Sequence, residues 1–272
     1  MTTLIRTEWL KMKKYNAFWW IIGITALSYP GINYMCYKIF ENMTTKPSNT
    51  MDIAKAALGN PFVFPEVWRT TAFFSSLFVF IPAVVVIMLV SNEYTFRTHR
   101  QNVIDGWSRS QFITSKLLDV AMISLMITII YSIVALVAGF TNQTRLLQDT
   151  WSQSYYIGLF FLQTFAQLSI AFLLGFLIKK AFLSLGLFLF YFIILENLIV
   201  GWFKWNDWKA ADYLPLEISD KLIPPPAFWG KLDPAAYQQK LDAIPLHIGL
   251  TIVLTAIIWG ICYRINNRKD LK

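Results

Sequence analysis

Six long stretches of this chain carry at most one charged side chain each, and every one is long enough to cross a lipid bilayer. A transmembrane helix needs about 20 mostly apolar residues. Lipid offers no partners for backbone hydrogen bonds, so such segments must be helical. The predicted spans cover about residues 15–37, 70–92, 120–144, 154–178, 181–203 and 243–263. We therefore predict an all-α membrane protein with six transmembrane helices in a single domain over residues 1–272.

Charged residues are scarce, and most of them are basic. Only 15% of the residues are charged and the formal net charge is +8, whereas a soluble domain carries about 25% charged residues. In a soluble protein, a positive charge of this size would suggest nucleic acid as a partner. Here membrane topology accounts for it, because an N-terminus inside the cell places more than half of the lysines and arginines in the shorter, cytoplasmic segments. We predict that both termini are cytoplasmic and that no nucleic acid is bound.

Residues 3–14 precede the first predicted span and have an amphipathic pattern. Ile5, Trp9 and Met12 recur at helical spacing, while the basic side chains point to other sides. This pattern predicts a helix that lies in the cytoplasmic interface and directs its lysines toward anionic membrane lipid. The alternative is that the segment simply extends the first span inward.

The polar segment 93–116 lies between the second and third predicted spans. Most basic loops between spans are plain connectors, and that interpretation applies here as well. However, the other cytoplasmic link, between the fourth and fifth spans, consists only of Lys179 and Lys180. Segment 93–116 is therefore the only sizeable cytoplasmic surface apart from the short termini. This favours a role as a docking element for a separate protein.

The sequence contains no motif for hydrolysing ATP. A P-loop needs the pattern Gly-x4-Gly-Lys-Ser/Thr, and the only Gly-Lys pair, Gly230-Lys231, is followed by Leu232. The two cysteines, Cys36 and Cys262, fall at opposite membrane faces in the predicted topology, so they cannot form a disulfide. The two histidines, His99 and His247, lie in different parts of the predicted topology. We therefore expect no enzymatic activity and no bound cofactor or metal in this chain.

Four polar residues inside the spans are candidates for a substrate path. Glu196 is the only Asp, Glu, Lys or Arg within a predicted span, and Asn197 follows it. Gln163 and Gln167 lie one helical turn apart in the fourth span. Charged groups in lipid are costly and therefore face protein or water. These side chains either form structural hydrogen bonds between helices or line a polar path for a substrate.

The polar loop also carries a pattern of spaced residues: Glu93-x4-Thr98-x7-Gly106-x-Ser108-Arg109-x2-Phe112-x3-Lys116. Placed after a second span, this pattern resembles the family of ABC-2 type transporter permeases. Residues 102–109 are similar to the bacterial members of that family grouped with antibiotic and lantibiotic resistance. The chain departs from many members at Arg97-Thr98, where they have Gly-Thr.

The resemblance implies that the loop forms a coupling helix in a cleft of a separate ATPase subunit. Tyr94 and Phe96 would fill an apolar cleft, while charged side chains would set the orientation. The docking residues that it implies are Glu93, Tyr94, Phe96, Arg97, Thr98, Arg100, Gly106, Ser108 and Arg109. It also implies two copies of an ABC ATPase that use ATP and Mg²⁺, a second permease chain of the same or a different kind, and a bacterial plasma membrane.

From these features we expect a subunit of an ATP-driven exporter of an amphipathic substrate, such as an antimicrobial peptide, a drug or a lipid-like molecule. One alternative is a membrane module that couples ATPase movement to sensing or envelope work without transport. A second alternative is an ion-coupled carrier built on Glu196.

Overall fold

The computed structural model describes residues 2–45, 60–104, 106–142, 149–230 and 233–268 of the chain. Within these ranges all regular secondary structure is helical, which confirms the predicted all-α fold. The long helices pack side by side, and the core between them consists mainly of aromatic and aliphatic side chains.

Helix α1 (Thr2–Lys14) is followed after a single residue by helix α2 (Asn16–Thr45). Trp9 of α1 packs edge-on against Phe18 of α2, so the apolar side of α1 faces the bundle. The N-terminal amphipathic segment is thus a separate helix and not an extension of α2. Its place in the lipid interface stays a prediction.

The second predicted span is divided into helix α3 (Val67–Ser76) and helix α4 (Phe80–Thr95), which meet at an angle of 51°. Pro82 lies in the first turn of α4 and lacks the N–H that would bond the carbonyl of Phe78, one turn earlier. The bend at this point therefore has a clear physical cause. Helix α2, in contrast, continues through Pro30.

Helix α5 (Thr98–Ile104) is a short helix between α4 and the 34-residue helix α6 (Arg109–Asn142). Helix α7 (Tyr156–Ile178) lies at the centre of the bundle and packs against α4, α6 and the C-terminal helix. A side chain at Gly175 of α7 would collide with Val90 of α4. The small residue therefore allows these two helices to approach closely.

Helix α8 (Ala181–Trp205) contains one turn of π-helix at Tyr191–Leu195. Several short helices follow before the last long helix. They are α9 (Pro215–Asp220), α10 (Ala227–Gly230) and α11 (Pro234–Asp242), and the last long helix is α12 (Ile244–Arg268). Helix α9 packs against α7 and α12, so this part of the connection belongs to the bundle.

Four helices in the described part of the chain, α6, α7, α8 and α12, are long and apolar enough to cross a membrane, and the bent pair α3–α4 can supply a fifth span. Helix α2 has 30 residues but is not among them, because its tryptophan, tyrosine, asparagine and proline residues lower its mean hydropathy. The chain is thus an integral membrane protein, while the count of six spans stays a prediction.

The two ends of the bundle differ in what they hold. Helices α1 and α5 and the end of α12 lie together, because Lys11 pairs with Glu93 and Arg109 bonds to Asn267. We call this end the α5 face. The connection between α8 and α9 lies at the other end, which we call the opposite face.

Candidate functional site

Two residues with positive φ shape the loop that contains α5. Arg97 has a φ of 56° between α4 and α5, and Gly106 has a φ of 93° between α5 and α6. Glycine adopts this conformation easily, whereas arginine rarely does. One turn therefore lies at Gly106 and a second at Arg97. The chain therefore changes direction at both ends of α5.

A buried group of five charged side chains, which we call the ion cluster, lies next to this loop. Its members are Glu8 and Lys11 of α1, Glu93 of α4, and Lys116 and Asp119 of α6. Lys116 Nζ lies 2.6 Å from Glu8, 2.9 Å from Glu93 and 3.1 Å from Asp119. Lys11 Nζ lies 3.0 Å from Glu8 and 3.2 Å from Glu93, and only its side chain is substantially exposed, by 35%. The cluster joins three helices at the α5 face.

The charge balance of the ion cluster matters because the cluster is buried. It contains three carboxyl groups and two ammonium groups, so a single proton on one of the acids makes it neutral. Burial alone would raise the pKa of Glu8, but the ammonium groups of Lys116 and Lys11, which both donate hydrogen bonds to its carboxylate, lower it. The two ammonium groups therefore favour the ionised form of Glu8.

The aromatic and aliphatic residues of the loop differ in exposure. Tyr94 packs against Phe176, and Lys179 Nζ lies 4.7 Å from the centre of the Tyr94 ring, so Tyr94 is held by the bundle. Phe96 and Ile104, in contrast, are 72% and 83% exposed. Among the described side chains of the loop, these two therefore supply its exposed apolar surface.

The loop is also fastened after α5. Arg109 Nη1 donates to the carbonyl of Asn267 at 3.1 Å, and Asn266 Nδ2 donates to the carbonyl of Arg109 at 2.8 Å. The backbone N–H of Ser108 bonds to the Gln111 side chain at 2.8 Å, and the N–H of Gln111 bonds back to Ser108 Oγ at 3.2 Å. This reciprocal pair is a capping box, which fixes the start of α6. The first turn of α6 is thereby tied to α12.

The predicted docking residues are thus divided between the surface and the interior. Glu93 is among the residues that the resemblance implies for docking, but it is only 6% exposed. Its carboxylate already accepts hydrogen bonds from Lys116 and from Thr98 Oγ1, at 2.9 and 2.8 Å. The charge of Glu93 is thus already paired inside the bundle, and its role in docking stays a prediction. Arg97 is exposed, whereas the side chain of Arg100 lies outside the described part of the structure.

A cavity of about 420 Å³ lies toward the opposite face, between α3, α4, α8 and α9. Both interruptions of helix geometry border it, since Leu77 and Phe80 come from the bend and Phe192 comes from the π-turn. Single π-turns inside α-helices frequently occur at functional sites. Two of the four residues predicted for a substrate path, Glu196 and Asn197, also line this cavity.

Glu196 caps a helix as well as facing the cavity. Its Oε1 accepts hydrogen bonds from the backbone N–H groups of Leu216 and Glu217, at 2.7 and 2.9 Å, in the first turn of α9. The Tyr191 hydroxyl lies close to Glu196, but Oε2 is buried without a hydrogen bond of normal geometry to any described residue. Asn197 donates to two carbonyls of the π-turn, at 3.2 and 3.1 Å. It therefore satisfies backbone groups of this irregular turn.

Gln163 and Gln167 reach an acid that lines the cavity. Their Nε2 atoms donate to Asp220 Oδ1 at 2.8 and 2.7 Å, and Gln167 also bonds to Ser219 Oγ at 3.2 Å. Asp220 is exposed to the cavity but lies deep enough for burial to raise its pKa to about 7, although the hydrogen bond from Gln163 opposes this. The structure thus connects all four residues predicted for a substrate path to one cavity.

Two important residues were not singled out from the sequence. Glu8 stands one turn from Lys11 in an amphipathic helix, next to apolar residues, and this spacing is a signal that could have identified it. Asp220 ends a short helix in a long polar connection, where no local pattern distinguishes it from its neighbours.

A family model described as ABC-2 family transporter protein matches residues 4–195, which is more than two thirds of the chain. The match includes α1, the loop at α5 and the ion cluster, and it ends directly before Glu196. No curated protein sequence matches the chain. The family match and the bundle of apolar helices show that the chain belongs to the ABC-2 family of transporter membrane proteins, the permeases that associate with ABC ATPases.

Proposed function

We propose that the chain is the membrane-spanning subunit of an ATP-driven ABC exporter, and that a separate ATPase docks on the loop at α5. The observation that carries this proposal is the construction of the loop. It presents Phe96 and Ile104 to the outside, while its two ends are fastened to the bundle. ATP and Mg²⁺ would be bound by the partner, and this chain would contribute no catalytic group.

The fastening at both ends suits the transmission of movement. Before α5, Glu93 is held by charged side chains of α1 and α6. After α5, Arg109 is held by the backbone of α12. A displacement of α5 by a partner would therefore move four helices together instead of bending the loop alone.

The exposed side of the loop suits contact with a protein. Exposed apolar residues with charges around them are typical of protein interfaces, in which a few aromatic anchors supply most of the affinity. Phe96 is such an anchor, and Arg97 beside it is exposed. In this proposal Arg97 and Arg100 pair with acidic groups of the ATPase and set its orientation. Glu93 acts indirectly, by holding the loop in position.

Alanine substitutions test the docking surface. Phe96→Ala and Ile104→Ala should each lower the affinity of the tagged chain for the ATPase by about tenfold or more, because loss of an interface anchor costs about 2 kcal/mol. Less ATPase should then be recovered with the tagged chain. The measurement is co-purification from a membrane extract, followed by the ATPase rate of the complex in vesicles. Phe190→Ala is the matched control, since Phe190 is 51% exposed on α8, away from the loop.

Three outcomes would contradict parts of the proposal. If the wild-type chain recovers no ATPase, or if both loop variants recover as much as the control, the docking surface is wrong. ATPase activity without substrate flux in vesicles would favour a membrane module that does not transport. Transport that survives ATP depletion and disappears in Glu196→Gln would favour an ion-coupled carrier.

The full assembly in this proposal contains two permease chains and two ATPases. In the apolar parts of α8 and α12 only 22% and 28% of the residues are buried, so large faces remain for lipid and for a second permease chain, identical or different. The α5 face would lie in the cytoplasm of a bacterial plasma membrane. The substrate would be amphipathic, such as an antimicrobial peptide, a drug or a lipid-like molecule.

A further inference from the structure

We propose that the cavity between α3, α4, α8 and α9 binds an organic cation, namely a positively charged ammonium group attached to an apolar body. That this ligand is the exported substrate rests on the function proposed above. The binding site itself rests on the charges, hydrogen bonds and lining of the cavity.

The cavity is lined by acidic groups, most of which have no basic partner. Three carboxyl groups line it, from Glu196, Glu217 and Asp220, and no lysine, arginine or histidine is present among its described lining residues. Glu217 has a partner, because Lys204 Nζ lies 3.1 Å from its carboxylate. Glu196 and Asp220 form no ion pair with a described residue. The two acids lie close enough for the charge of Glu196 to act on Asp220. Two neighbouring acids without a counter-ion favour a cationic ligand.

The hydrogen bonds of the two acids leave one oxygen of each available. Both backbone hydrogen bonds to Glu196 use Oε1. Its Oε2 has no partner of normal geometry among the described residues, although Glu196 is only 3% exposed. Both glutamine amides that reach Asp220 use its Oδ1. The free oxygen of Glu196 is buried, and a buried carboxylate oxygen without a donor is costly, whereas Asp220 is exposed to the cavity. An ammonium group with several N–H donors would satisfy both oxygens.

The rest of the lining suits an apolar body. Phe73, Phe80 and Phe192 contribute aromatic rings, and Leu77 and Val200 contribute aliphatic groups. Aromatic faces also attract cations. The volume of about 420 Å³ falls in the range of about 300–1,000 Å³ that is usual for small-molecule sites. The cavity therefore combines an acidic end with an apolar wall, as an amphipathic cation requires.

The experiment is a binding measurement with two matched probes. The full chain is placed in phosphatidylcholine nanodiscs, whose neutral surface does not concentrate cations. Dansylcadaverine carries a primary ammonium on an apolar fluorophore, and its N-acetyl derivative has the same body without the charge. We expect saturable binding of dansylcadaverine, measured by fluorescence anisotropy, and binding of the acetylated probe that is weaker by about tenfold or more.

Variants connect the binding to the two acids. Asp220→Asn and Glu196→Gln should each weaken dansylcadaverine binding about tenfold, while Asp242→Asn, an acid of α11 outside the cavity, should bind like the wild type. Two variants are used because Glu196 also caps α9. Equal affinity for the two probes, or unchanged binding in Asp220→Asn and Glu196→Gln, would overturn the site. Selective binding without ATP-driven transport of the probe would support the site and count against the exporter.

Discussion

At the scale of single residues, Lys116 is the side chain on which the α5 face depends most. It neutralises Glu8, Glu93 and Asp119 at once and is 3% exposed. Lys116→Met would leave three acids facing only Lys11. Removing one partner from a buried ionic group costs about 3–5 kcal/mol. We therefore predict a marked fall in the temperature at which the detergent-solubilised chain loses its folded peak in size-exclusion chromatography.

Lys11→Met is the matched control for this prediction. Lys11 contacts two of the same acids, but its side chain is 35% exposed and Lys116 would remain between them. Water can solvate the exposed lysine end of these pairs, so their loss costs less than the loss of the fully buried Lys116. The control should therefore unfold close to the wild-type temperature. A fall of the same size in both variants, or in neither, would show that Lys116 is not the centre of the cluster.

A second prediction at the residue scale concerns pH and Asp220. Burial raises the pKa of Asp220 to about 7, so the side chain is largely neutral below that pH and negative above it. The ammonium of dansylcadaverine stays charged throughout this range, since lysine-like amines have a pKa of about 10.4. Affinity should therefore fall as the pH drops below about 7, by up to about tenfold per unit. The groups that face Asp220 are Glu196 on α8 and Glu217 on its own helix, with neutral glutamines on α7.

The control for the pH dependence is Asp220→Asn, measured with the same probe between pH 5 and 8. Without the titrating acid, the remaining affinity should vary much less over this range. A pH profile of the variant that parallels the wild type would assign the titration to another group.

At the scale of elements, the π-turn of α8 sets the direction of Glu196. Deleting Ile194 from Tyr191–Leu195 would restore a regular α-helix and rotate the two parts of α8 relative to each other by about 100°. Glu196 would then lose its place beside Asp220. We predict loss of saturable dansylcadaverine binding, with membrane insertion and ATPase recovery retained. Ile194→Ala, which keeps the turn, should bind the probe like the wild type, and equal binding by both variants would contradict this role.

The elements also show how much the sequence could predict. The spans follow from uncharged runs, and the break before α6 follows from Gly106 and the capping box at Ser108. These signals are local. The ion cluster depends on contacts between residues far apart in the chain, such as Glu8 and Lys116, and no local pattern specifies them. The contact of Gln163 with Asp220 also joins distant parts of the chain. The sequence could therefore predict separate polar residues in the spans, but not the cavity that they share.

At the scale of the whole molecule, helix α4 connects the two sites. Phe80 at its start lines the cavity, and Glu93 near its end belongs to the ion cluster. About 20 Å of α-helix separates these residues. Because α4 begins at a bend of 51°, a displacement of α5 can tilt it about that point. Movement at the α5 face would then change the shape of the cavity, as coupling between ATPase and ligand requires.

This connection predicts that the nucleotide state changes ligand affinity. In the complex with its ATPase, a non-hydrolysable ATP analogue should shift the dansylcadaverine Kd by about fivefold or more, the usual lower size of coupling between sites. Glu93→Gln keeps the shape of the side chain but weakens its bonds to Lys116 and Lys11. Glu93→Gln should therefore bind the probe normally without nucleotide, and the ratio of its Kd values with and without the ATP analogue should be close to one. Asp242→Asn should show the same ratio as the wild type. Because coupling of binding is reciprocal, the probe should change the nucleotide affinity by the same factor. A full shift in Glu93→Gln would mean that movement reaches the cavity by another helix.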